Sequence, residues 1–385
     1  MLKKIIRITT VPASLRHLLK GQLKFMSQHY EVIGVSGIGR DGNGLIEITQ
    51  NEGVRTFRVE MTRTITPFKD LKATYQLYKF FKKEQPFMVH THTPKAGTVG
   101  MLAAKLAGVP NRIHTIAGLP LLEATGAKRK LLDVVEKITY ACSTHILPNS
   151  FELERIIIEQ NYTTKNKLKV IANGSSNGID TNHYDADKVS EASKETLKKE
   201  LNITPEDTVF IFIGRVVKDK GVNELVSAFH KLSSVKPHCK LIMVGPREDH
   251  LNPLLAKTEA LIAKNKNILM VGRQKEIRPY VAISHILTFP SYREGFPNVV
   301  LQASSMNLPC IVSNINGCNE IIEDGINGLI IPPKDDNALY DAMDYLMENP
   351  SERLRMSQAS RSNIIKKYQQ ALVWEDLLKF YKSLE

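Results

Sequence analysis

No stretch of this 385-residue sequence approaches the roughly 18 consecutive apolar residues that a membrane-spanning helix needs. The N-terminal "MLKKIIRITT" has an apolar run too short for a secretory signal. A soluble or peripheral protein is expected. Cysteine is scarce: Cys142, Cys239, Cys310 and Cys318 form no CxxC pair and have no histidine partner at metal-ligand spacing. That argues against a disulfide framework or a zinc site and fits a reducing cytosol. There is a single tryptophan, no short repeat and no low-complexity tract. Acid is scarce only in the first third. Residues 1–130 carry 21 Lys+Arg against 8 Asp+Glu, a net of +13, whereas residues 131–385 carry 31 against 32. A one-sided basic surface draws nucleic acid, an anionic membrane or a polyphosphate. The absence of a helix-turn-helix, zinc-finger or RNA-recognition pattern argues against nucleic acid as partner.

What is present is an ordinary globular composition, 42% apolar and 24% charged, in a chain long enough for two domains. β-Branched runs at 4–10, 31–37, 53–60, 87–93 and 111–116 alternate with amphipathic segments at about 15–28, 68–83 and 95–107. A Gly-, Ser- and Asn-rich junction follows at 169–185. A second series then has strands at 208–214, 240–245, 267–272, 285–290, 309–314 and 328–332, with helices near 222–235, 253–264, 276–282, 297–306 and 337–348. This βαβα rhythm predicts two α/β domains, each a parallel sheet covered by helices, with ligand in a cleft at the carboxyl ends of the strands. The expected boundaries are 1–168 and 169–365. Residues 366–385 form an amphipathic C-terminal helix, carrying Trp374, that is expected to pack back on the first domain.

Two strand-to-helix junctions of the second domain suit an anion. In "FIGRVVKDKGV" (212–222), Gly214 closes a strand, Arg215 follows, and Lys220 stands with Gly221 at the next helix entrance. A guanidinium forks onto phosphate oxygens, an ammonium adds a point charge, and a helix start supplies free N–H groups. The plain alternative is a turn with solvated charges. In "PSYREGFPNVVLQA" (290–303), Gly295 permits close backbone approach and Pro297 suits the first turn of a helix. Glu294 there could accept hydrogen bonds from sugar hydroxyls.

These residues, with "GCNEIIEDGINGLI" (317–330) and "NGID" (177–180), resemble the donor domain of retaining glycosyltransferases of family 4. The stretch "VHTHTPKAGTVGMLAAKLAGVPNRIHTIAGLP" (89–120) resembles the subgroup that builds bacterial surface polysaccharides (capsule, O-antigen, exopolysaccharide) on polyprenyl-diphosphate carriers. The resemblance implies two Rossmann-like domains in the B-type fold. It implies a sugar, hexose or N-acetylhexosamine, moved from a nucleotide donor, UDP-linked by expectation, to a lipid-linked saccharide. It also implies a location at the inner face of the cytoplasmic membrane and no metal or other cofactor. Arg215 and Lys220 would hold the diphosphate after Gly214. Glu294 would bind the donor sugar, with Gly295, Phe296, Pro297 and Asn298 beside sugar and phosphate. The position where the family grips the ribose with a second glutamate is Gln302, eight residues on. The amide substitution predicts a loss of about 1 kcal/mol in donor binding.

In the first domain, the family's histidine before a glycine is replaced by Ala117 before Gly118. His114, three residues earlier, is either a substituted active-site group or a half-buried strand residue. His90 and His92 alternate along a strand end, and one of them is expected to face the cleft. Lys95, at a helix start, is placed to meet an acceptor phosphate, so His92, Lys95 and His114 are the acceptor-side candidates. "DAD" at 185–187 resembles another fold's metal motif but reads as surface acid. Arg16, Lys20 and Lys24 fall on one helical stripe, and Lys69, Lys72, Lys79, Lys82, Lys83 and residues 128–130 add basic faces that would dock on an anionic membrane. A sugar-nucleotide epimerase of similar shape, or a non-catalytic carbohydrate- or nucleic-acid-binding protein, remains as alternative.

Overall fold

A computed structural model describes residues 2–39, 42–62, 64–119, 121, 124–248 and 252–385. The chain divides into two compact units, Met1–Gly178 with Ala371–Glu385, and Ile179–Gln370. The first holds a parallel sheet of β1 (Lys4–Ile8), β2 (Glu31–Ser36), β3 (Arg55–Arg58), β4 (Met88–Thr91), β5 (Asn111–Ile116) and β6 (His145–Pro148), in the order β3-β2-β1-β4-β5-β6. The second sheet comprises β7 (Thr208–Ile213), β8 (Cys239–Val244), β9 (Ile268–Gly272), β10 (Ile286–Phe289), β11 (Cys310–Ser313) and β12 (Gly328–Ile331), in the order β12-β11-β10-β7-β8-β9. Counted within each unit, both orders are 3-2-1-4-5-6, the Rossmann arrangement. The inner strands are buried on both faces, so "KIIRI" and "TVFIFI" read as nearly continuous apolar runs. The strand order reverses between β1 and β4, and between β7 and β10. There the connecting loops part and leave room for a ligand.

The helix Gln370–Lys382 completes the core of the first unit. Its Val373, Leu377, Phe380 and Tyr381 pack with Ile5, Leu15, Leu23 and Met26. Fully buried side chains of this kind contribute about 1.5–3 kcal/mol each, which is why a segment far along the chain belongs to the first unit. Helices Gly44–Glu52, Glu191–Glu200 and Pro350–Tyr368 were not anticipated. The second is polar nearly all round, "EASKETLKKE", and periodicity gives little sign of it.

The segment expected as one helix over 15–28 is two, Pro12–Leu18 and Gln22–Ser27. They break at Gly21, which has φ +78°, and a Cβ there would lie 2.7 Å from Trp374 Cη2. The indole covers the break and donates from Nε1 to Asn177 Oδ1 at 2.7 Å. Arg16, Lys20 and Lys24 therefore do not form one stripe, and Arg16 pairs with Glu47.

Under the first sheet lies a buried polar layer. Arg7, wholly buried, donates from Nε to His92 Nε2 at 2.9 Å and from Nη2 to Gln22 Oε1 at 2.5 Å. His90 shares hydrogen bonds with Tyr381 Oη at 2.5 Å and Thr115 Oγ1 at 2.7 Å. The His90 and His92 rings are 4.0 Å apart. This corrects the expectation that only one faces a given side, because residues two apart on a strand share a face. His114 is also buried, with Nδ1 2.8 Å from Thr91 Oγ1. Burial pushes His114 down to about 4. Burial first, then the neighbouring positive groups, hold His90 and His92 well below the usual range.

These depressed values set a pH dependence. The unfolded chain protonates the three histidines near pH 6.5 while the folded chain does not, so stability is full above that pH and falls below it. Each group steepens the fall by up to about 1.4 kcal/mol per pH unit until its folded-state pKa is reached. The melting temperature should drop between pH 7.5 and 5.5, and His114→Leu should flatten that drop. A melting temperature unchanged over the interval would contradict the buried neutral layer.

Candidate active site

At the reversal of the second sheet, β7 leads through Gly214 and Arg215 into a 3-10 turn, Lys218–Lys220, and then into the helix Val222–Val235. β10 leads through residues 290–297 into the helix Asn298–Ser305. Gly221 joins the two loops. Its φ is +69°, and a Cβ there would stand 1.9 Å from the Pro290 carbonyl oxygen, a distance no side chain tolerates. Tyr292 N donates to Asp219 O at 3.0 Å across the same seam. A third loop, following β11, supports the other side. Asn316 Nδ2 donates to the carbonyls of Glu294 at 2.6 Å and Gly295 at 3.1 Å. A Cβ on Gly317 would reach within 2.4 Å of the Gly295 oxygen.

The result is direct contact between Lys220 Nζ and Glu294 Oε1, with the two side chains only 17% and 16% exposed. The ammonium also sits 5.7 Å from the centroid of the Phe289 ring. Arg215 is more open and pairs instead with Glu248, Nη1 to Oε2 2.7 Å. Neither helix start carries a side-chain cap, which leaves first-turn N–H groups without internal partners. Phe296 is buried in the core, 5.4 Å from the Tyr368 ring, so only its backbone is available beside a ligand. Pro297 occupies the N-cap, one position before the first turn anticipated for it, and Asn298 is exposed.

Gln302 donates from Nε2 to Tyr184 Oη at 2.8 Å. The amide thus spends one of its two N–H groups on Tyr184, while its carbonyl oxygen remains an acceptor. Tyr184 is held by Arg361 Nη1, which donates to its carbonyl at 3.0 Å. Sequence reasoning missed Tyr184, Asn316 and Glu248. An asparagine just before the glycine of "NGCNE" was the one available hint. Asp185 of "DAD" pairs with Arg361 at 3.0 Å and accepts from Asp187 N at 3.1 Å, closing a surface turn.

On the first unit, Lys95 Nζ pairs with Asp70 Oδ2 at 2.5 Å and lines a pocket of about 460 Å³ with Thr10, Ser14, Leu132 and Val135. Thr10 follows β1 and Lys95 follows β4, so the pocket opens at that sheet's own reversal. His92 and His114 belong to the buried layer. His114 lies under Gly97, where a Cβ would stand 2.4 Å from its Cε1. Ala117, at the position of the family's histidine, is exposed at the bend after β5.

Residues 193–363 match the family of glycosyl transferases group 1, and residues 29–174 match the glycosyl transferase 4-like domain. The capsular polysaccharide biosynthesis glycosyltransferase CapM of Staphylococcus aureus is 30% identical over 381 residues, covering 99% of this chain and 97% of its own. The UDP-Gal:alpha-D-GlcNAc-diphosphoundecaprenol alpha-1,3-galactosyltransferase of Escherichia coli is 30% identical over 380 residues, covering 94% and 95%. In fold, the chain matches Anabaena HepE in complex with UDP at a TM-score of 0.82 and 15% identity, over all of both chains. With two Rossmann-type sheets, a cation–carboxylate pair at the second sheet's reversal and relatives alike over nearly their whole length, the chain belongs to the glycosyltransferases, a 4-like unit followed by a group 1 unit.

Proposed function

We propose that this protein moves a sugar, with retention of configuration, from a nucleotide sugar to a saccharide carried on polyprenyl diphosphate, in surface-polysaccharide synthesis. The observation that carries this reading is the Lys220–Glu294 contact at the β7/β10 reversal, with Arg215 on the same loop as Lys220. The Escherichia coli relative, named for a UDP-linked donor and a diphosphoundecaprenol acceptor, supports UDP and a lipid carrier. Another relative, from Campylobacter jejuni, is named as an N-acetylgalactosaminyltransferase acting on a diphospho-undecaprenol substrate. An epimerase would need no acceptor, and these relatives do not favour it.

In the proposed reaction, Arg215 and Lys220 neutralise the diphosphate as the bond from the sugar's anomeric carbon to phosphate oxygen breaks. Glu294 accepts hydrogen bonds from the sugar hydroxyls, and Gln302 Oε1 accepts from the ribose. The acceptor hydroxyl forms the new bond on the face the diphosphate leaves, and a phosphate oxygen takes its proton. The residues act by positioning and charge stabilisation. Two cations at the leaving group supply that charge without a metal ion, so transfer should persist in EDTA.

The protein docks, in this proposal, on the anionic inner face of the cytoplasmic membrane. No helix among the described residues is long and apolar enough to cross a membrane. The helix Pro67–Glu84 exposes Phe68 (91%), Leu71 and Tyr75 beside Lys69, Lys72 and Lys79. Basic residues near such a surface contribute up to about 1 kcal/mol each. Since Arg16 is paired with Glu47, this helix carries the footprint rather than residues 16–24.

Arg215→Ala and Glu294→Ala should each lower kcat/KM for transfer from a UDP-sugar by about 10²-fold or more. Near-normal rates in both variants would remove the site assignment. Gln302→Glu should tighten donor binding by up to about tenfold, because Tyr184 can turn its O–H toward the carboxylate; weaker binding would mean the amide reads another group. In liposome flotation, the protein should rise with anionic but not neutral vesicles, and Lys69→Glu/Lys72→Glu/Lys79→Glu should stay at the bottom. Indifference to lipid charge would sink the docking surface.

A further inference from the structure

Both cations assigned to the diphosphate already hold a carboxylate. Lys220 touches Glu294, and Arg215 forms its 2.7 Å bond with Glu248. Glu248 comes from the loop after β8. That loop is set beside the Arg215 loop by a hydrogen bond from Val216 N to Pro246 O at 2.9 Å and by a bridge between Val216 and Arg247. The Arg215 and Glu248 side chains are 42% and 29% exposed, so a ligand can reach the pair. A carboxylate and a phosphate present similar oxygen pairs to a guanidinium, and the phosphate carries more charge.

Resting on the donor site proposed above, we infer that Glu248 and Glu294 are internal stand-ins for the diphosphate. They hold Arg215 and Lys220 when no donor is bound, are displaced as the diphosphate enters, and return as the nucleoside diphosphate leaves. The two differ in consequence. Once Lys220 turns to phosphate, the oxygens of Glu294 are free for sugar hydroxyls, so sugar recognition is conditional on the diphosphate. After transfer the sugar is gone and Glu294 has no partner, which favours its return to Lys220 and release of product. Glu248 never meets the sugar. It is a positioning residue that acts through Arg215, and its carboxylate sets how tightly the bare diphosphate is kept.

The test uses the full chain and inorganic diphosphate, which is independent of base and sugar, with affinity read by calorimetry. Glu248→Gln keeps the size and the acceptor oxygen but removes the charge. It should bind diphosphate about two- to fivefold tighter, the range expected for an exposed ion pair, and Glu248→Gln/Glu294→Gln tighter still. In turnover, Glu248→Gln should lower kcat and lower the inhibition constant of the nucleoside diphosphate product by the same factor, with an unchanged melting temperature. A purely structural role for Glu248 would instead weaken diphosphate and lower the melting temperature. Equal or weaker diphosphate binding by Glu248→Gln, or no binding by any variant, overturns the inference. If wild type transfers sugar normally while Glu248→Gln fails to tighten diphosphate, this inference falls alone. If Glu248→Gln tightens diphosphate but no nucleotide sugar is turned over, the transferase reading falls and the stand-in role remains.

Discussion

The absence of a Cβ at residue 221 is the constraint on which the candidate site depends. Only a glycine in the left-handed region can bring the loop after β7 against the Pro290 carbonyl. That approach puts Lys220 on Glu294 although 74 residues of chain separate them. Asn316 and Gly317 clamp the same loop from the β11 side. The charged pair thus rests on backbone seams, and an ammonium and a carboxylate are held together at little cost in side-chain freedom. The two loops are thereby fixed in place whether or not the pair is closed, and fixed placement of charge is what a transferase that works through positioning requires.

The first unit has a different character at the equivalent place. Its sheet has the same strand order, yet the face beneath β1 and β4 is lined by a buried guanidinium and two closely apposed, tilted imidazoles. Burial, and after it the positive charge of Arg7, keeps the His90 and His92 rings neutral, and His92 serves as an acceptor for Arg7. The layer reads as structural, tied by Tyr381 to the returning C-terminal helix. Lys95, paired with Asp70, lines a pocket at the end of the sheet where ligands bind.

Much of the architecture was legible beforehand. All six strands of the second unit appear where β-branched runs predicted them, because parallel strands covered on both faces must be apolar throughout. The helix Glu191–Glu200 escaped notice, since it buries only Leu197 and shows no apolar stripe. The break at Gly21 escaped too. A lone glycine inside an amphipathic pattern is ordinarily tolerated, and the indole that makes it a break lies more than 350 residues away.

At the site, the kinds of group were readable and their pairing was not. Residue types and loop spacing alone indicated a cationic, glycine-bearing junction at 214–221 and an acid before a helix at 294. They suited an anion, because a guanidinium, an ammonium and a helix start at strand ends are phosphate-binding groups, and the resemblance to a family added the expectation of a sugar. Only the tertiary structure decided that Lys220 faces Glu294, that Arg215 faces Glu248, and that the amide of Gln302 is spent on Tyr184. Each pair joins segments well separated in the chain. Which loops meet is set by strand order and by where a missing Cβ lets backbones touch, and neither is a local property of the chain.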